Sequence, residues 1–335
     1  MSSKQKSKIG KAVIKPVSLG GDLMNIAVIG LGGVGGYFGA KLCRQAESSD
    51  DKVHFIARGA HLAAIVENGL RVKTSEEGEW VCRPTSASLN IEALFDMDLI
   101  LVCVKSYDLE DVARRLQTVV RPDTIILPLL NGVDIYERMQ RVLTTGIIYP
   151  ACVFVGTHIE SPGVISQNGG ARKIQFGAHP LQSKPVPSFI PELFHRAQIN
   201  FEHVNDPMPS IWSKFVFIAA YGIVTAAYDK PLDEIVSAKP LSDKVRSIMK
   251  EVAALAKAQG VILSGDVVEL SFQKGADFAP GTKTSLQRDV EKPNAKDERD
   301  LFGGTILRMG KALGIPSPVT EEVWSVLEQR KPSAR

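Results

Sequence analysis

At 335 residues, with 44% hydrophobic and 23% charged residues, the chain has the length of two ordinary domains and the composition of a globular protein with a sizeable core. A formal net charge of +3, with acids and bases interleaved after residue 50, leaves no basic face and argues against nucleic acid as a partner. The longest uncharged apolar run, residues 215–228, is shorter than the roughly 20 residues of a membrane span and is interrupted by Thr225, so it reads as a buried helix. Four widely spaced cysteines, Cys43, Cys82, Cys103 and Cys152, form no CxxC pair; they predict reduced thiols in a cytoplasmic protein, with no metal site.

Residues 1–23 stand apart. Lys4, Lys6, Lys8, Lys11 and Lys15 lie among serines and glycines, no acid precedes Asp22, and arginine is absent. The stretch reads as a flexible extension rather than a transit peptide. From Met24 short apolar runs alternate with helical stretches: a strand at 26–29, a helix at 34–46, a strand at 53–57, a short helix at 61–68, a strand at 99–104, a helix at 108–119 and a strand at 125–127. Strands alternating with helices predict βαβ units and a mostly parallel sheet of Rossmann type. Residues 146–201 hold short β-like runs at 147–155, 164–166 and 173–176, expected as antiparallel additions to one sheet edge. Beyond Asp206-Pro207 the period becomes helical, with helices at 211–227, 242–259, 267–273, 298–313 and 320–329, stopped at Gly260 and Gly314. The expected fold class is therefore α/β, an N-terminal Rossmann-type domain over 24–206 followed by an all-α domain over 207–335.

The first strand runs into Gly30-Leu31-Gly32-Gly33-Val34-Gly35, a GxGxxG pattern between strand and helix. That context predicts a dinucleotide site. Gly30 permits the tight turn, Gly32 lets the backbone approach the pyrophosphate, and Gly35 allows close packing of helix on strand. The phosphates meet the free N–H groups of the helix start. The second strand ends in Ala57-Arg58-Gly59 with no acid following it. An acid there would accept from the ribose 2′-hydroxyl of NAD, whereas Arg58 suits a 2′-phosphate, so NADPH is the expected cofactor.

Further landmarks follow in order: Val104-Lys105, Leu129-Leu130-Asn131-Gly132, Ser161-Pro162-Gly163, Trp212-Ser213-Lys214, residues 284–289 (TSLQRD), and Asp297-Glu298-Arg299-Asp300 ahead of Gly304. As an ordered set, from about Met24 to about Arg330, they resemble the ketopantoate reductase (2-dehydropantoate 2-reductase) family. The resemblance implies reduction of a 2-oxo acid to a D-2-hydroxy acid by NADPH in a cleft between two domains, with ketopantoate as substrate in pantothenate biosynthesis. It assigns proton donation to Lys214, which a position at the head of an apolar helix would desolvate. It makes Glu298 a second catalytic residue that positions the nicotinamide ribose or steers Lys214. It gives Lys105 and Asn131 contacts with cofactor, Asn131 a contact with substrate also, and Ser285 the substrate carboxylate. Each has a plainer role as well: Lys214 and Lys105 as solvated side chains, Asn131-Gly132 as a turn, Thr284-Ser285 as a helix cap, and Glu298 as an acid in a first helical turn.

The chain departs from the family where asparagines hydrogen-bond the substrate's oxo and hydroxyl groups. Ile218, Gly222 and Leu232 stand there, and Gly303-Gly304 replaces an Asn-Gly pair. Tyr221, Thr225 and Tyr228 are the nearest polar substitutes. A reductase of a less polar 2-oxo acid, a non-catalytic NADP(H)-binding regulator, and a dehydrogenase of 3-hydroxy or sugar acids are the alternatives, and a homodimer is left open.

Overall fold

The computed structural model describes residues 23–182, 184–292 and 295–330, so the expected N-terminal extension, apart from Leu23, lies outside the described residues. The apolar runs Asn25–Ile29, Lys52–Ile56, Leu99–Val102 and Ile125–Pro128 form the centre of a six-stranded sheet. Ser86–Ser88 closes one edge and Ile147–Ile148 the other, and every pairing is parallel. Asn25–Ile29 lies between Lys52–Ile56 and Leu99–Val102, in register Ile26 with Val53 and with Leu99. The chain thus builds outward in one direction and then the other, and the order reverses beside the first strand. Such a switch point opens a crevice at the carboxyl ends of the strands.

Both faces of this sheet are covered, which is why its strands are continuously apolar rather than alternating. Ile26, Val28, Leu99 and Leu101 share one core with Phe38 and Leu42 of the helix Gly33–Ala46. Ala27, Ile29, Ile100 and Val102 face the other way, into a second core that continues through Ile211, Trp212 and Phe215 into the helical half. The sheet and the helices are therefore joined by shared hydrophobic packing.

The region 146–201 differs from expectation. Only Ile147–Ile148 extends the main sheet, and it does so in parallel. Ala151–Phe154, Lys173–Phe176 and Asn200–His203 make a separate three-stranded sheet, while Thr157–Ser161 and Val164–Gln167 join Leu70–Thr74 and Gly78–Cys82 in a four-stranded one. The 157–167 hairpin is drawn over the Gly33–Ala46 helix, where Gly33 and Gly36 leave room for Thr157 and Ile165. The hairpin at 70–82 escaped the sequence reading because its outer strand, Gly78–Cys82, is largely exposed and carries little apolar signal.

In the helical half the long helix Met208–Tyr228 lies at the centre, packed by Lys239–Ala258, Val267–Ala276, Ser285–Val290 and Pro318–Gln329. It extends about two turns before the uncharged run, and by length and composition alone it would pass for a membrane span. Its apolarity is explained by burial instead, since Phe215, Val216, Ala219, Ala220, Ile223 and Val224 are all in the core. The helix expected from residue 298 begins with a π-helical turn, Asp300–Gly304, and continues as Thr305–Leu313. Glu298 thus precedes the helix rather than occupying its first turn.

Candidate active site

The glycine turn has the geometry that its sequence implies. Gly30 takes φ +92°, and a Cβ there would lie 2.9 Å from the Cys103 backbone. A Cβ on Gly35 would strike the Gly30 carbonyl oxygen and come within 2.8 Å of Cys103 Cβ, so helix and strand meet at a contact that only glycine permits. A Cβ on Gly32 would meet nothing within 4 Å. Open space therefore lies in front of the helix start, and the Leu31 side chain is buried behind it. Backbone amides at Leu31, Gly32, Gly33 and Val34, with no side chain in front of Gly32, fit a pyrophosphate. The turn sits at the carboxyl end of the first strand, beside the switch point.

Arg58 stands at the N-cap position of the helix Gly59–Asn68, makes no side-chain capping bond and is largely exposed. Its guanidinium pairs with Asp108 at 3.0 Å, a partner that the sequence reading did not anticipate. Lys105 and Asn131 follow the strands Leu99–Val102 and Ile125–Pro128, as expected, at the same end of the sheet.

Two polar clusters occupy this end. In the first, Lys214 Nζ donates to Asn131 Oδ1 at 2.7 Å and to the Val153 carbonyl at 2.5 Å. The ammonium also lies 5.5 Å from the centroid of the Phe154 ring. Burial pulls its pKa down to about 8, against a small opposing effect from Cys152. The desolvation expected for a lysine at the head of an apolar helix is thus present, and it brings the ammonium close to neutrality, where proton transfer is easiest.

In the second cluster Lys105 Nζ donates to Glu298 Oε2 at 2.6 Å and to Asp289 Oδ2 at 2.8 Å. The buried Glu298 also accepts the Ser106 N–H on Oε1 at 3.0 Å. Burial alone would lower the Lys105 pKa, but the two carboxylates outweigh it and hold the pKa above its ordinary value. The same balance holds Asp289 below the ordinary range, with burial overcome by Lys105 and Lys292. In the ligand-free arrangement the hydrogen bonds of Glu298 thus go to Lys105 and Ser106, while those of Lys214 go to Asn131 and Val153. Gly132, next to Asn131, packs against Leu301, three residues after Glu298: a Cβ there would lie 2.7 Å from Leu301 Cδ1.

Ser285 opens the helix Ser285–Val290 on an exposed surface, and Thr284 supplies the cap by accepting the Gln287 N–H at 3.2 Å. Among the described residues the structure does not bring Ser285 into hydrogen-bond contact with Lys214 or Asn131. Ile218 is half-buried one turn beyond Lys214. A Cβ on Gly222 would lie 3.8 Å from Phe302 and 3.9 Å from Leu286. Leu232 is buried in the core. Two of the three polar substitutes, Tyr221 and Thr225, are engaged elsewhere. Tyr221 Oη donates to the Phe272 carbonyl at 2.7 Å, and Thr225 Oγ1 bonds the Tyr221 carbonyl and Thr284 Oγ1, both at 2.7 Å.

The sequence reading missed Asp289, Val153, Phe154, Ser106 and Asp108 as members of these clusters. Asp289 lay within a quoted landmark and could have been found as a second acid near Glu298. Val153 contributes a backbone oxygen, which leaves no side-chain signal.

Two family models match the chain: "Ketopantoate reductase PanE/ApbA" over residues 26–180 and "Ketopantoate reductase PanE/ApbA C terminal" over residues 206–331, together well over half of its length. The 2-dehydropantoate 2-reductase of Caulobacter vibrioides is 29% identical over 91% of this chain and 98% of its own. The crystal structure of a PanE/ApbA family ketopantoate reductase from Ralstonia eutropha is 29% identical, with a TM-score of 0.82 over 92% of this chain and 98% of that one. A D-mandelate dehydrogenase solved with NADH and anilino(oxo)acetate shares the fold at 22% identity, with a TM-score of 0.80 over 92% of this chain and 99% of that one.

Proposed function

This chain belongs to the ketopantoate reductase family of oxidoreductases, and from that premise we propose that it reduces a 2-oxo acid to the 2-hydroxy acid with NADPH, Lys214 supplying the proton. Residues 24–206 bind the cofactor, and residues 207–335 contribute the proton donor and the far wall of the cleft. The observation that carries the reading is the Lys214 ammonium, held by Asn131 and Val153 with its pKa drawn to about 8.

When bound, the cofactor supplies the hydride that forms the new C–H bond at C2 of the substrate. Negative charge then develops on the former carbonyl oxygen, and Lys214 Nζ transfers a proton to it, leaving a neutral amine that solvent reprotonates. Asn131 Oδ1 and the Val153 carbonyl accept two of the three ammonium protons and leave the third for the substrate. Lys105, held by Asp289 and Glu298, fixes the loop after its strand against the helical half, where the nicotinamide ribose would lie. Ser285, exposed at a helix start, is available to a substrate carboxylate. Arg58 is the cation for the adenosine 2′-phosphate and carries the preference for NADPH.

Ketopantoate is the default substrate, in a cytoplasmic pathway to pantothenate. A second reading, a less polar 2-oxo acid, is favoured by one observation: Ile218 and Gly222 offer no donor, and Tyr221 and Thr225 are already hydrogen-bonded elsewhere. A panel of 2-oxo acids, each tested with NADPH and with NADH, decides among these. Turnover of ketopantoate supports the first, turnover of only branched or aromatic acids the second, and no turnover of any overturns the catalytic reading.

A further inference from the structure

The short turn that follows the strand Leu99–Val102 is held from two sides. Ser106–Asp108 forms one turn of 3-10 helix, closed by the Asp108 N–H on the Lys105 carbonyl at 2.9 Å, and leads into the helix Leu109–Leu116. From the helical half, Glu298 accepts the Ser106 N–H on Oε1 at 3.0 Å and Lys105 Nζ on Oε2 at 2.6 Å. From the sheet half, Arg138, in the helix Ile135–Gln140, donates from Nη2 to the Ser106 carbonyl at 3.0 Å. The same guanidinium forks onto Glu110, with Nε on Oε1 at 2.8 Å and Nη2 on Oε2 at 3.0 Å.

Arg138 is buried, whereas the Glu110 side chain is 43% exposed. Taking a guanidinium out of water costs more than a carboxylate left half in water returns, so the pair with Glu110 does not by itself account for Arg138. The fork instead fixes the plane of the guanidinium. One Nη2 hydrogen then goes to Glu110 and the other is aimed at Ser106.

We infer that Arg138 is a positioning residue for the nicotinamide half of the cofactor, acting through Ser106 on Glu298 and Lys105. The inference rests on the reading of Lys105 and Glu298 as cofactor contacts. A single carboxylate takes both the Ser106 N–H and the Lys105 ammonium, so where that N–H stands sets the plane of Glu298 and the point at which Lys105 is held. The N–H belongs to a closed turn, and a closed turn moves as a unit. Arg138 holds that unit by its carbonyl side while Glu298 holds it by its N–H side. Ser106 is thus the point at which the sheet half and the helical half are pinned to one residue.

The probing substitution is Arg138→Met, which keeps the apolar stem and removes the fork. It strands no buried group at the turn, because the Ser106 carbonyl keeps the Leu109 N–H and Glu110 is open to water. The test is calorimetric titration of the full-length chain, Arg138→Met, Glu298→Ala and the double variant with two ligands: NADPH, and 2′,5′-ADP, which has the 2′-phosphate but no nicotinamide. Arg138→Met is expected to weaken NADPH by about three- to tenfold, the worth of one charge-assisted hydrogen bond transmitted in part. Its Kd for 2′,5′-ADP is expected to stay within about twofold of the parent, since the adenosine half lies at the glycine turn and Arg58. In the Glu298→Ala background the same substitution is expected to cost less than about twofold, because the carboxylate through which it acts is gone. A merely structural loss would weaken NADPH by one factor in both backgrounds and would weaken 2′,5′-ADP as well. Either of those results, or unchanged NADPH affinity in Arg138→Met, overturns the inference. A Glu298→Ala variant that binds NADPH like the parent overturns the reading of Glu298 as a cofactor contact, and the inference falls with it.

Discussion

The glycine turn and the Lys214 cluster lie at the same end of the same sheet, yet they are made differently. The turn is local. Six consecutive residues, Gly30 to Gly35, place backbone amides against open space, and the side chains that matter are the missing ones. The cluster is assembled at long range: Lys214 comes from a helix, Asn131 from a strand end 83 residues earlier, and Val153 from a small separate sheet. A backbone site tolerates changes in its surroundings but no added atom. A side-chain site accepts remodelled neighbours but depends on one nitrogen. The glycine pattern is complete at Gly30, Gly32 and Gly35, whereas Ile218, Gly222 and Leu232 carry no polar group where the family resemblance leads one to expect asparagines.

The sharpest way to break the comparison is to remove the nitrogen. Lys214→Ala is expected to lower kcat by about 10²–10⁴-fold, the usual worth of a positioned general acid, with the Kd for NADPH changed little. Stopped-flow binding alongside steady-state turnover separates the two effects. If kcat persists, proton donation by Lys214 is wrong and the regulator reading gains ground.

The pH profile probes the same nitrogen without mutation. The donor must be protonated, and burial sets its pKa at about 8. With a saturating 2-oxo acid, kcat is expected to be level below that pH and to fall roughly tenfold per unit above it. Lys214→Arg, whose guanidinium stays charged, should lose this limb along with most of its activity. A limb that persists unchanged in the arginine variant would assign the titration to another group.

The turn answers to the opposite manipulation, adding one carbon. Gly35→Ala drives a Cβ onto the Gly30 carbonyl, and the strand and helix must separate to admit it. A stability loss of about 1–3 kcal/mol is expected, with weaker dinucleotide binding, read by thermal unfolding and by titration with NADPH. Gly32→Ala meets nothing within 4 Å in the ligand-free protein, so its stability should be near that of the parent while binding suffers. A Gly32→Ala variant that binds normally would move the phosphates away from Gly32.

How much could be read beforehand follows from this contrast. The parallel sheet, the turn and the central helix were legible because each is written in a short period: apolar runs, spaced glycines, a helical repeat. The hairpin at 70–82 was not, because the exposed strand Gly78–Cys82 carries no apolar run, and although the runs at 147–155, 164–166 and 173–176 were read as β-like, their pairing into two small sheets was not. In the site, Lys214 and Asn131 came from family resemblance, and their hydrogen bond was beyond any local pattern. Glu298 was found, but its partners Lys105 and Ser106 were not foreseen, because they lie in the loop following Leu99–Val102, nearly two hundred residues away in the chain.

The smallest expected effect concerns Arg58, and it tests where the two kinds of site overlap. Arg58 is a side chain appended to a backbone site, and it is paired with Asp108 across a solvent-exposed gap. Exposed ion pairs contribute about 0–1 kcal/mol, so Asp108 holds the guanidinium only loosely. Its negative charge still opposes any 2′-phosphate that Arg58 would grip. Arg58→Ala is accordingly expected to weaken NADPH by only about three- to tenfold and to leave NADH unchanged. Asp108→Asn removes the competing charge and keeps the shape. It should tighten NADPH by a few fold, again without effect on NADH, and more so at low salt, where surface charge is least screened. Equal responses of NADPH and NADH to both substitutions would remove Arg58 from the 2′-phosphate and make its pair with Asp108 a feature of the helix start alone.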